Sequence, residues 1–416
     1  MRVLLFASTT GYQVHAFGEA ASALGIELQL ATDRCDHLDD PWGDRAIAVR
    51  FHDADAVVAT ARQAGPFDGV LAVGDRPAAV AATVASALGL PWHSPEGASA
   101  SRCKLGTRMR LARHGLPVPE FGAATTPAEL EPWFERLPVV VKPTQLSGSR
   151  GVIRADTPQA LRDAWARVSR LLAQPDIRAQ REAEDNAILI ESFIPGREFA
   201  IEGVLSQGRL QVLAIFDKPD PLYGPYFEET IYLTPSRATT SVQRAIEAAV
   251  DGACRALGLW HGPIHAECRV NDLGVYILEV APRPIGGICA RALRFTGSEG
   301  EATSLEGLLL RHATGERVAF WRREAAASGV MMIPIPGAGV LRGVDGVERA
   351  REVPGIEDVV VTAKLDQVLL PLPEGATYLG FMFARGESAA EVERSLRGAY
   401  ACLHVRMDRA LTVVPA

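Results

Sequence analysis

The first part of the chain alternates short apolar runs with alanine-rich amphipathic runs. The apolar runs predict strands at 3–7, 27–31, 46–50 and 69–73, and the amphipathic runs predict helices at 11–24, 54–64 and 78–88. Strands that alternate with helices are typical of a parallel sheet covered by helices on both faces. Residues 1–97 are therefore predicted to form an N-terminal parallel α/β domain.

The pattern changes after a Pro- and Ser-rich stretch at 91–101, which we interpret as a linker or domain edge. A helix is predicted at 98–114, then strands at 137–143 and 187–191 with a helix at 158–172 between them. These elements predict a second domain over 98–195. The remainder, 196–416, is predicted to be a third domain in which strands predominate, with helices at 241–258 and 389–403 and strands that include 197–205, 208–216, 330–335, 359–365 and 377–385.

A hairpin is predicted within 262–287, with two alternating strands around a turn at 271–274. If the apolar rows of both strands share one face, Cys268 pairs with Leu278, and Glu267 lies opposite Glu279 on the other face. Their Cβ atoms would then be about 5 Å apart, which is unfavourable for like charges unless a cation lies between them. Oxygen ligands favour Mg²⁺, while the alternative is an exposed hairpin with two solvated glutamates.

Two further features of the pattern favour an anion-binding site. Lys142 lies in the Val-rich strand 137–143, where an ammonium group is costly to bury without an anionic partner. The next residues, 144–152, form a small polar loop with two glycines, whose backbone N–H groups could cover phosphates. Its spacing excludes a P-loop. Arg283, four residues after Glu279, could clamp an anion through two hydrogen bonds.

Composition argues against several classes of protein. The chain has 416 residues and a formal net charge of −7, which argues against a broadly basic nucleic-acid surface. It contains no run of 18 apolar residues that could span a membrane. The six cysteines are scattered without a C-x-x-C pair, so neither a zinc site nor a disulfide framework is indicated. We interpret them, including Cys289, as reduced packing residues of a cytoplasmic protein.

In chain order these motifs resemble the ATP-grasp superfamily. The resemblance rests on Lys104, VVVKP with Lys142, SGSRG, ILIESFIPGREF, HAECRV and YILEVAPRPIGG. Within the superfamily, the chain is most similar to the branch of L-amino-acid and carboxylate–amine ligases. It implies an α/β (α+β) ATP-grasp fold with an N-terminal Rossmann-like parallel-sheet domain, a small lid domain and a larger C-terminal domain. It also implies an enzyme that activates a carboxylate as an acyl phosphate and joins it to an amine, with ATP and Mg²⁺ (or Mn²⁺) as cofactors.

Site residues follow from this resemblance position by position. ATP would be bound by a set of lysine, flap and hinge residues, namely Lys104, Lys142, Ser147, Gly148, Ser149, Gly151, Glu191, Ser192, Phe193, Ile194 and Glu198. The backbone of Ser192 and Ile194 would read adenine. The metal would be held by Glu267 and Glu279. Substrate would be bound by Glu229, Arg283, Gly286 and Gly287, and Arg283 and Lys142 would be catalytic.

One residue departs from the family pattern. Many members have Glu-x-Asn-x-Arg at the second metal carboxylate, but this chain has Ala281 where the asparagine would stand. Two alternatives stay open beside the ligase. One is a biotin-carboxylase-like carboxylation of a nitrogen, which would use the same ATP site, and the other is an ATP-binding module without catalysis, which Ala281 suggests. The expected partners are small-molecule carboxylates and amines, without nucleic acid or membrane, and a homodimer is compatible with the sequence.

Overall fold

The computed structural model describes residues 1–8, 13–33, 46–178 and 187–409. Its N-terminal part is a parallel sheet with strand order β3-β2-β1-β4, formed by β1 (Arg2–Ala7), β2 (Glu27–Thr32), β3 (Ile47–Ala48) and β4 (Gly69–Val73). The helices between and after these strands are α1 (Val14–Leu24), α2 (Ala54–Ala64) and α3 (Asp75–Leu88). The predicted parallel sheet is confirmed, and residues 11 and 12 of the first predicted helix lie outside the described residues.

The single helix predicted at 98–114 is wrong, because the chain forms two helices there, α4 (Pro95–Arg102) and α5 (Lys104–Arg113). Helix α4 begins within the predicted linker, since the Ser94 side chain accepts the N–H of Gly97 and Pro95 suits the first turn. Between the helices, the backbone of Cys103 is extended, and its thiol accepts the N–H of Gly106 to cap α5. Lys104 therefore stands at the first turn of a helix.

The next unit is an antiparallel sheet with strand order β5-β8-β6-β7. Its strands are β5 (Phe121–Ala124), β6 (Val139–Pro143), β7 (Ile153–Ala155) and β8 (Ile188–Ser192), and its helices are α6 (Pro158–Leu172) and α7 (Pro175–Arg178). Helix α6 packs its apolar face, with Leu161, Val168 and Leu171, into the same core as Val139 and Val141 of β6. The sheet thus has a buried core of its own.

A large antiparallel sheet follows, with strand order β13-β12-β9-β10-β11-β17-β21-β19. Its strands are β9 (Arg197–Ser206), β10 (Arg209–Asp217), β11 (Ile231–Thr234), β12 (Gly262–Asn271), β13 (Gly274–Ala281), β17 (Ala327–Ile333), β19 (Ile356–Val361) and β21 (Gly380–Gly386). Helix α8 (Thr240–Leu257) shares a core with β12 and β13, and α11 (Ala389–Ala401) shares one with β17 and β21.

Two smaller sheets complete the described chain. One contains β14 (Arg294–Thr296), β15 (Ala302–Ser304) and β16 (Arg322–Arg323), and the other contains β18 (Gly339–Asp345), β20 (Val368–Leu369) and β22 (His404–Arg409). Helices α9 (Leu305–Ala313) and α10 (Val347–Arg351) accompany them, and 3₁₀ helices span Pro127–Trp133 and Cys289–Ala292. Within the described ranges, no helix combines the length and the apolar character that a membrane crossing requires. The predicted domain boundaries at 97 and 195 stay predictions.

The hairpin of β12 and β13 has the predicted pairing of Glu267 with Glu279, but its register changes at the next residue. A β-bulge pairs Cys268 with Ile277, so the predicted pair of Cys268 with Leu278 is wrong. Val275 and Ile277 consequently enter the core beside α8. Leu278, which was predicted to lie in that core, instead lines a cavity on the opposite face.

Candidate active site

A cavity of about 300 Å³ lies between the β5–β8 sheet and the β12–β13 hairpin. It brings together residues that are far apart in sequence and that were predicted to bind nucleotide, metal or substrate. They are Lys104, Lys142, Ser147, Gly148, Ser149, Glu191, Ser192, Phe193, Ile194, Glu198, Glu229, Glu267, Glu279, Arg283, Gly286 and Gly287. Gly151 was also predicted to bind nucleotide, but it lies behind the cavity, where an added Cβ would be 2.6 Å from Cγ of Pro143.

Lys142 projects from β6 and is held by a buried carboxylate. Its Nζ lies 2.5 Å from Oε2 of Glu191, whose Oε1 lies 2.5 Å from Nε of Arg108. Burial would raise the pKa of Glu191, but Arg108 and Lys142 outweigh it and hold the pKa at about 2. The Glu191 carboxylate therefore orients the lysine and is already engaged by two cations on the lid side of the cavity.

The loop 147–151, the predicted flap, lines the cavity together with the two lysines through Ser147, Gly148 and Ser149. Its backbone takes left-handed conformations at Gly148 (φ 63°), Ser149 (φ 55°) and Gly151 (φ 74°). The two glycines adopt them without steric cost, whereas Ser149 does not. Lys104 supports the base of this loop, because its ammonium group donates to the carbonyl of Leu146 and its backbone N–H donates to Thr144 O at 2.8 Å. The N-terminus of α5 and the flap are thus connected directly.

One end of the cavity is an apolar slot. Phe193 and Phe227 stack with ring centroids 6.5 Å apart, and Val140 packs in the same apolar cluster. Arg269 lies beside both rings, at 5.1 and 5.4 Å from their centroids. A slot with aromatic and aliphatic walls suits a flat heterocycle such as a nucleobase.

The hinge 191–194 has less free backbone than was predicted. The N–H of Ser192 donates to Glu120 O at 2.9 Å, and the carbonyl of Ile194 accepts from Arg269 at 2.8 Å. These two groups are therefore engaged within the protein, and a base in the slot would be read by other atoms of the hinge.

Glu267 and Glu279 face the middle of the cavity from neighbouring strands. Their side chains are partly exposed, 21% and 27%, so both carboxylates can reach a ligand. Ala281, two residues after Glu279, is buried and has no oxygen on its side chain, so the hairpin presents two carboxylates and no amide to the cavity. Paired carboxylates with open coordination positions suit a hard cation that also binds phosphate oxygens.

His265 connects this pair to a further buried carboxylate. Its Nδ1 lies 2.5 Å from Oε1 of Glu202, and its Nε2 lies 3.6 Å from Oε1 of Glu267. Burial would lower the pKa of His265, but Glu202 and Glu267 raise it to about 9. The imidazole is therefore held as a cation between two carboxylates.

Lys218, at the end of β10, lies under the floor of the cavity among three carboxylates. Its Nζ is 2.8 Å from Glu198 and 3.1 Å from Glu267, and it also donates to Glu229. These carboxylates are close enough together to hold a metal ion. The lysine ammonium already lies between them, so we interpret this cluster as a buried charge network, and the predicted metal ligands Glu267 and Glu279 stay a prediction.

The charge network perturbs Glu229 strongly. Burial and the neighbouring Glu267 raise the pKa of Glu229 to about 7, although Lys218 opposes them. A carboxyl group with this pKa can gain or lose a proton near neutral pH. Perturbed carboxyl groups of this kind are frequent at catalytic sites.

Arg283 connects the cavity to the N-terminal sheet. Its Nε lies 2.7 Å from Oδ1 of Asp75, the first residue of α3, and its second terminal nitrogen lies 4.0 Å from Glu279. Asp75 stands at the carboxyl end of β4, the edge where open sheets bind ligands. The N-terminal α/β part and the β12–β13 hairpin segment therefore meet at this guanidinium.

Sequence reasoning missed several of these buried groups, chiefly Arg108, Lys218 and Arg269. Two signals were available. Arg108 lies four residues after Lys104 on the same helix, and Arg269 lies two residues after Glu267 on the same face of β12. Lys218 follows the buried strand β10 directly, and nothing in its local sequence distinguishes it from a solvated lysine.

Comparison with known proteins places two domains in the chain. Residues 135–292 match the model of the ATP-grasp domain, and residues 331–408 match that of L-amino acid ligase C-terminal domain 2. The chain is 28% identical to human carnosine synthase 1 over 236 residues, 54% of this chain and 28% of that protein. It is 30% identical to dapdiamide A synthase of Enterobacter agglomerans over 198 residues, 46% of this chain and 44% of that protein. The chain thus spans less than half the length of either relative.

A solved structure extends the likeness to nearly the whole chain. The crystal structure of L-amino acid ligase from Bacillus licheniformis superposes with a TM-score of 0.82 at 28% identity, covering 98% of this chain and 99% of that one. The arrangement of the N-terminal sheet, the β5-β8-β6-β7 sheet and the large sheet is therefore shared with that enzyme.

Proposed function

Because this chain contains an ATP-grasp domain followed by an L-amino acid ligase C-terminal domain, we propose that it is an ATP-dependent carboxylate–amine ligase. Its substrates would be amino acids, joined by an amide bond with release of ADP and phosphate. The observation that carries this proposal is the single cavity in which an apolar slot, two lysines and a flap adjoin Glu267, Glu279, Arg283 and Glu229. The likeness to L-amino acid ligase over the whole chain supports it.

The cavity has a suitable group for each part of ATP. The base would lie in the slot formed by Phe193, Phe227 and Val140, and the phosphates would lie near Lys104 and Lys142 under the flap. Glu267 and Glu279 would hold Mg²⁺ or Mn²⁺, which supplies charge neutralisation at the phosphate oxygens. The site has the carboxylates that this ion requires, with phosphate and water taking the place of the missing asparagine.

Two residues would assist activation of the carboxylate. The substrate carboxylate attacks the γ-phosphorus of ATP to give an acyl phosphate and ADP, a step that depends mainly on positioning and charge stabilisation. Lys142, oriented by Glu191, and Arg283, oriented by Asp75, would place positive charge beside the transferring group. The flap 147–151 would exclude water, which otherwise hydrolyses the acyl phosphate.

Glu229 would serve the second step. The amine attacks the acyl carbon, phosphate leaves, and the proton of the attacking nitrogen must be taken up. With a pKa of about 7, Glu229 can accept that proton near neutral pH. No covalent enzyme intermediate is required, in keeping with Cys289, whose thiol is buried with a pKa raised above its usual range.

Release of ADP from amino-acid pairs tests this function. The full chain would be incubated with ATP, Mg²⁺ and pairs of amino acids, with mass spectrometry to detect the amide product. We expect ADP and a condensed product in equal amounts for at least one pair. Turnover only with bicarbonate would instead indicate carboxylation of a nitrogen. Nucleotide binding without ADP release in any mixture would indicate a module without catalysis.

A further inference from the structure

A second group of apolar side chains lines the cavity and belongs to a different apolar cluster from the slot. We call Ile285, Cys289, Met332 and Phe381 the apolar wall. Each of these residues lines the cavity, and each is at least 97% buried from solvent. They come from three separate parts of the chain: the segment after β13, strand β17 and strand β21. Nothing in the proposed reaction of ATP uses them.

Strand pairing holds two of these side chains together. Met332 of β17 is the direct partner of Phe381 of β21 in an antiparallel pair, so both side chains lie on one face of the sheet. Gly287 leaves space in front of them, because an added Cβ at that position would be 3.0 Å from Cζ of Phe381. Gly287 also has a positive φ of 62°, so a larger residue there would be strained.

The apolar wall adjoins the polar groups that the proposed function assigns to substrate. Burial raises the pKa of both the Cys289 thiol and the Tyr378 hydroxyl, and the nearby Glu229 carboxylate raises each pKa further. Tyr378 in turn lies 6.0 Å from Phe381, measured between ring centroids. A molecule whose amino or carboxylate group lies at Glu229 or Arg283 would therefore direct a side chain towards the wall.

We propose that the apolar wall binds the side chain of one of the two amino-acid substrates and selects an apolar side chain there. This inference rests on the proposed ligase function and specifies its substrate class. A charged or amide side chain would lose water against the wall without regaining hydrogen bonds, which is costly. An aliphatic side chain would lose no hydrogen bonds and would gain contact with the thioether of Met332 and the ring of Phe381.

Isosteric pairs of substrates test the selection without any mutation. One amino acid is held constant while the other is varied between leucine and asparagine, and between methionine and glutamine, and the experiment is repeated with the roles exchanged. We expect kcat/KM to favour the apolar member at least tenfold in one of the two roles. Mass spectrometry of the product then shows which substrate contacts the wall. Equal or greater turnover of asparagine and glutamine in both roles would overturn the inference while the ligase function stands.

Two neighbouring methionines provide a matched pair of variants. Met332 lines the cavity, whereas Met331 faces the opposite core, where it pairs with Met382. Met332→Ala should raise kcat/KM for phenylalanine relative to alanine about tenfold or more, because space opens at the wall. Met331→Ala removes the same atoms from the same strand and should leave that ratio unchanged.

The outcomes separate the two proposals. If Met332→Ala and Met331→Ala alter the ratio equally, the wall does not contact substrate and the inference is wrong. Absence of ADP release with every pair in the wild-type protein would overturn the proposed function and this inference with it. If Met332→Ala does not fold, the isosteric panel on the wild-type protein still decides the question.

Discussion

The guanidinium of Arg108 and the carboxylate of Glu191 form a buried ion pair, with Nε 2.5 Å from Oε1. The other oxygen of Glu191 holds Lys142, and a terminal nitrogen of Arg108 donates to Ile277 O at 3.0 Å. Ile277 immediately precedes the bulged residue Leu278. One arginine on α5 thus joins the carboxylate that holds Lys142 to the hairpin that carries Glu267 and Glu279.

Replacement of Arg108 should therefore weaken both the fold and the nucleotide site. We expect Arg108→Met to reduce the free energy of unfolding by about 3 kcal/mol, the low end for a broken buried pair, because Lys142 still compensates Glu191. The KM for ATP should rise more than kcat falls. Urea denaturation and initial-rate kinetics measure the two effects.

Arg113 on the same helix provides the control, because it is exposed. Arg113→Met should alter neither the free energy of unfolding nor the KM for ATP. If Arg108→Met lost stability but retained the wild-type KM, Arg108 would be structural only and would not position Lys142.

A second contact joins the lid to the C-terminal part of the chain. Arg167 of α6 binds both carboxylate oxygens of Glu374, at 2.5 and 2.8 Å, and the flap residue Gly151 donates its N–H to Pro373 O at 2.8 Å. Glu374→Gln keeps the size of the side chain but loses the paired charge. Since the pair is partly exposed, its loss should cost about 1 kcal/mol and speed release of a fluorescent ADP analogue about fivefold.

The exposed Arg170 on the same helix serves as the comparison for this contact. Arg170→Met should release the ADP analogue at the wild-type rate. An unchanged rate of release in Glu374→Gln would show that the contact between Arg167 and Glu374 does not limit opening of the lid.

Much of the fold could be predicted because local pattern determined it. The alternation of strands and helices predicted the N-terminal parallel sheet. The alternation of side chains along β12 and β13 predicted that Glu267 lies opposite Glu279. The bulge could not be predicted, because both rows of β13 are apolar beside it. Val275 with Ile277 and Tyr276 with Leu278 are equally suited to a buried face, so the alternation does not distinguish the two registers.

The buried ion pairs escaped prediction for a different reason. Glu191 and Arg108 are 83 residues apart, and each alone resembles an ordinary charged residue of a helix or strand. Only the assembled fold shows that the two share one desolvated site. The predicted lysines and carboxylates were found in the cavity because the resemblance was carried by short motifs, whereas their supporting residues lie outside those motifs.

Acid should destabilise the protein through His93, which is buried near the end of the N-terminal part. Its Nδ1 accepts the N–H of Trp260, and its Nε2 lies 2.9 Å from Pro263 O, so the neutral ring is fully hydrogen bonded. Burial lowers the pKa of His93 to about 4. The unfolded chain therefore binds a proton at higher pH than the folded chain, and stability is lost as pH falls from about 6.5 towards 4.

This contribution should amount to about 3 kcal/mol between those pH values, at 1.36 kcal/mol for each unit of pKa. Urea denaturation at several pH values measures it. His93→Gln should lower the stability at pH 7 but flatten its pH dependence, whereas His114→Gln, at an exposed position, should leave the slope as in the wild type. Parallel pH curves for the wild type and His93→Gln would contradict the assignment.

The metal pair is tested by the amide variant of Glu279. Its carboxylate is partly exposed and 4.0 Å from Arg283, so Glu279→Gln should preserve the fold and leave the melting temperature within a few degrees. Turnover should fall at least a hundredfold, because a neutral amide is a weaker ligand for Mg²⁺ and the phosphates lose their neutralising ion. A chelator should abolish turnover of the wild-type protein, and added Mg²⁺ should restore it.

Glu352→Gln provides the control, because Glu352 is exposed and follows α10. This variant should remain fully active. Full activity of Glu279→Gln at limiting Mg²⁺ would show that Glu279 is not a metal ligand. The second strand of the hairpin would then supply no metal ligand at either position 279 or position 281.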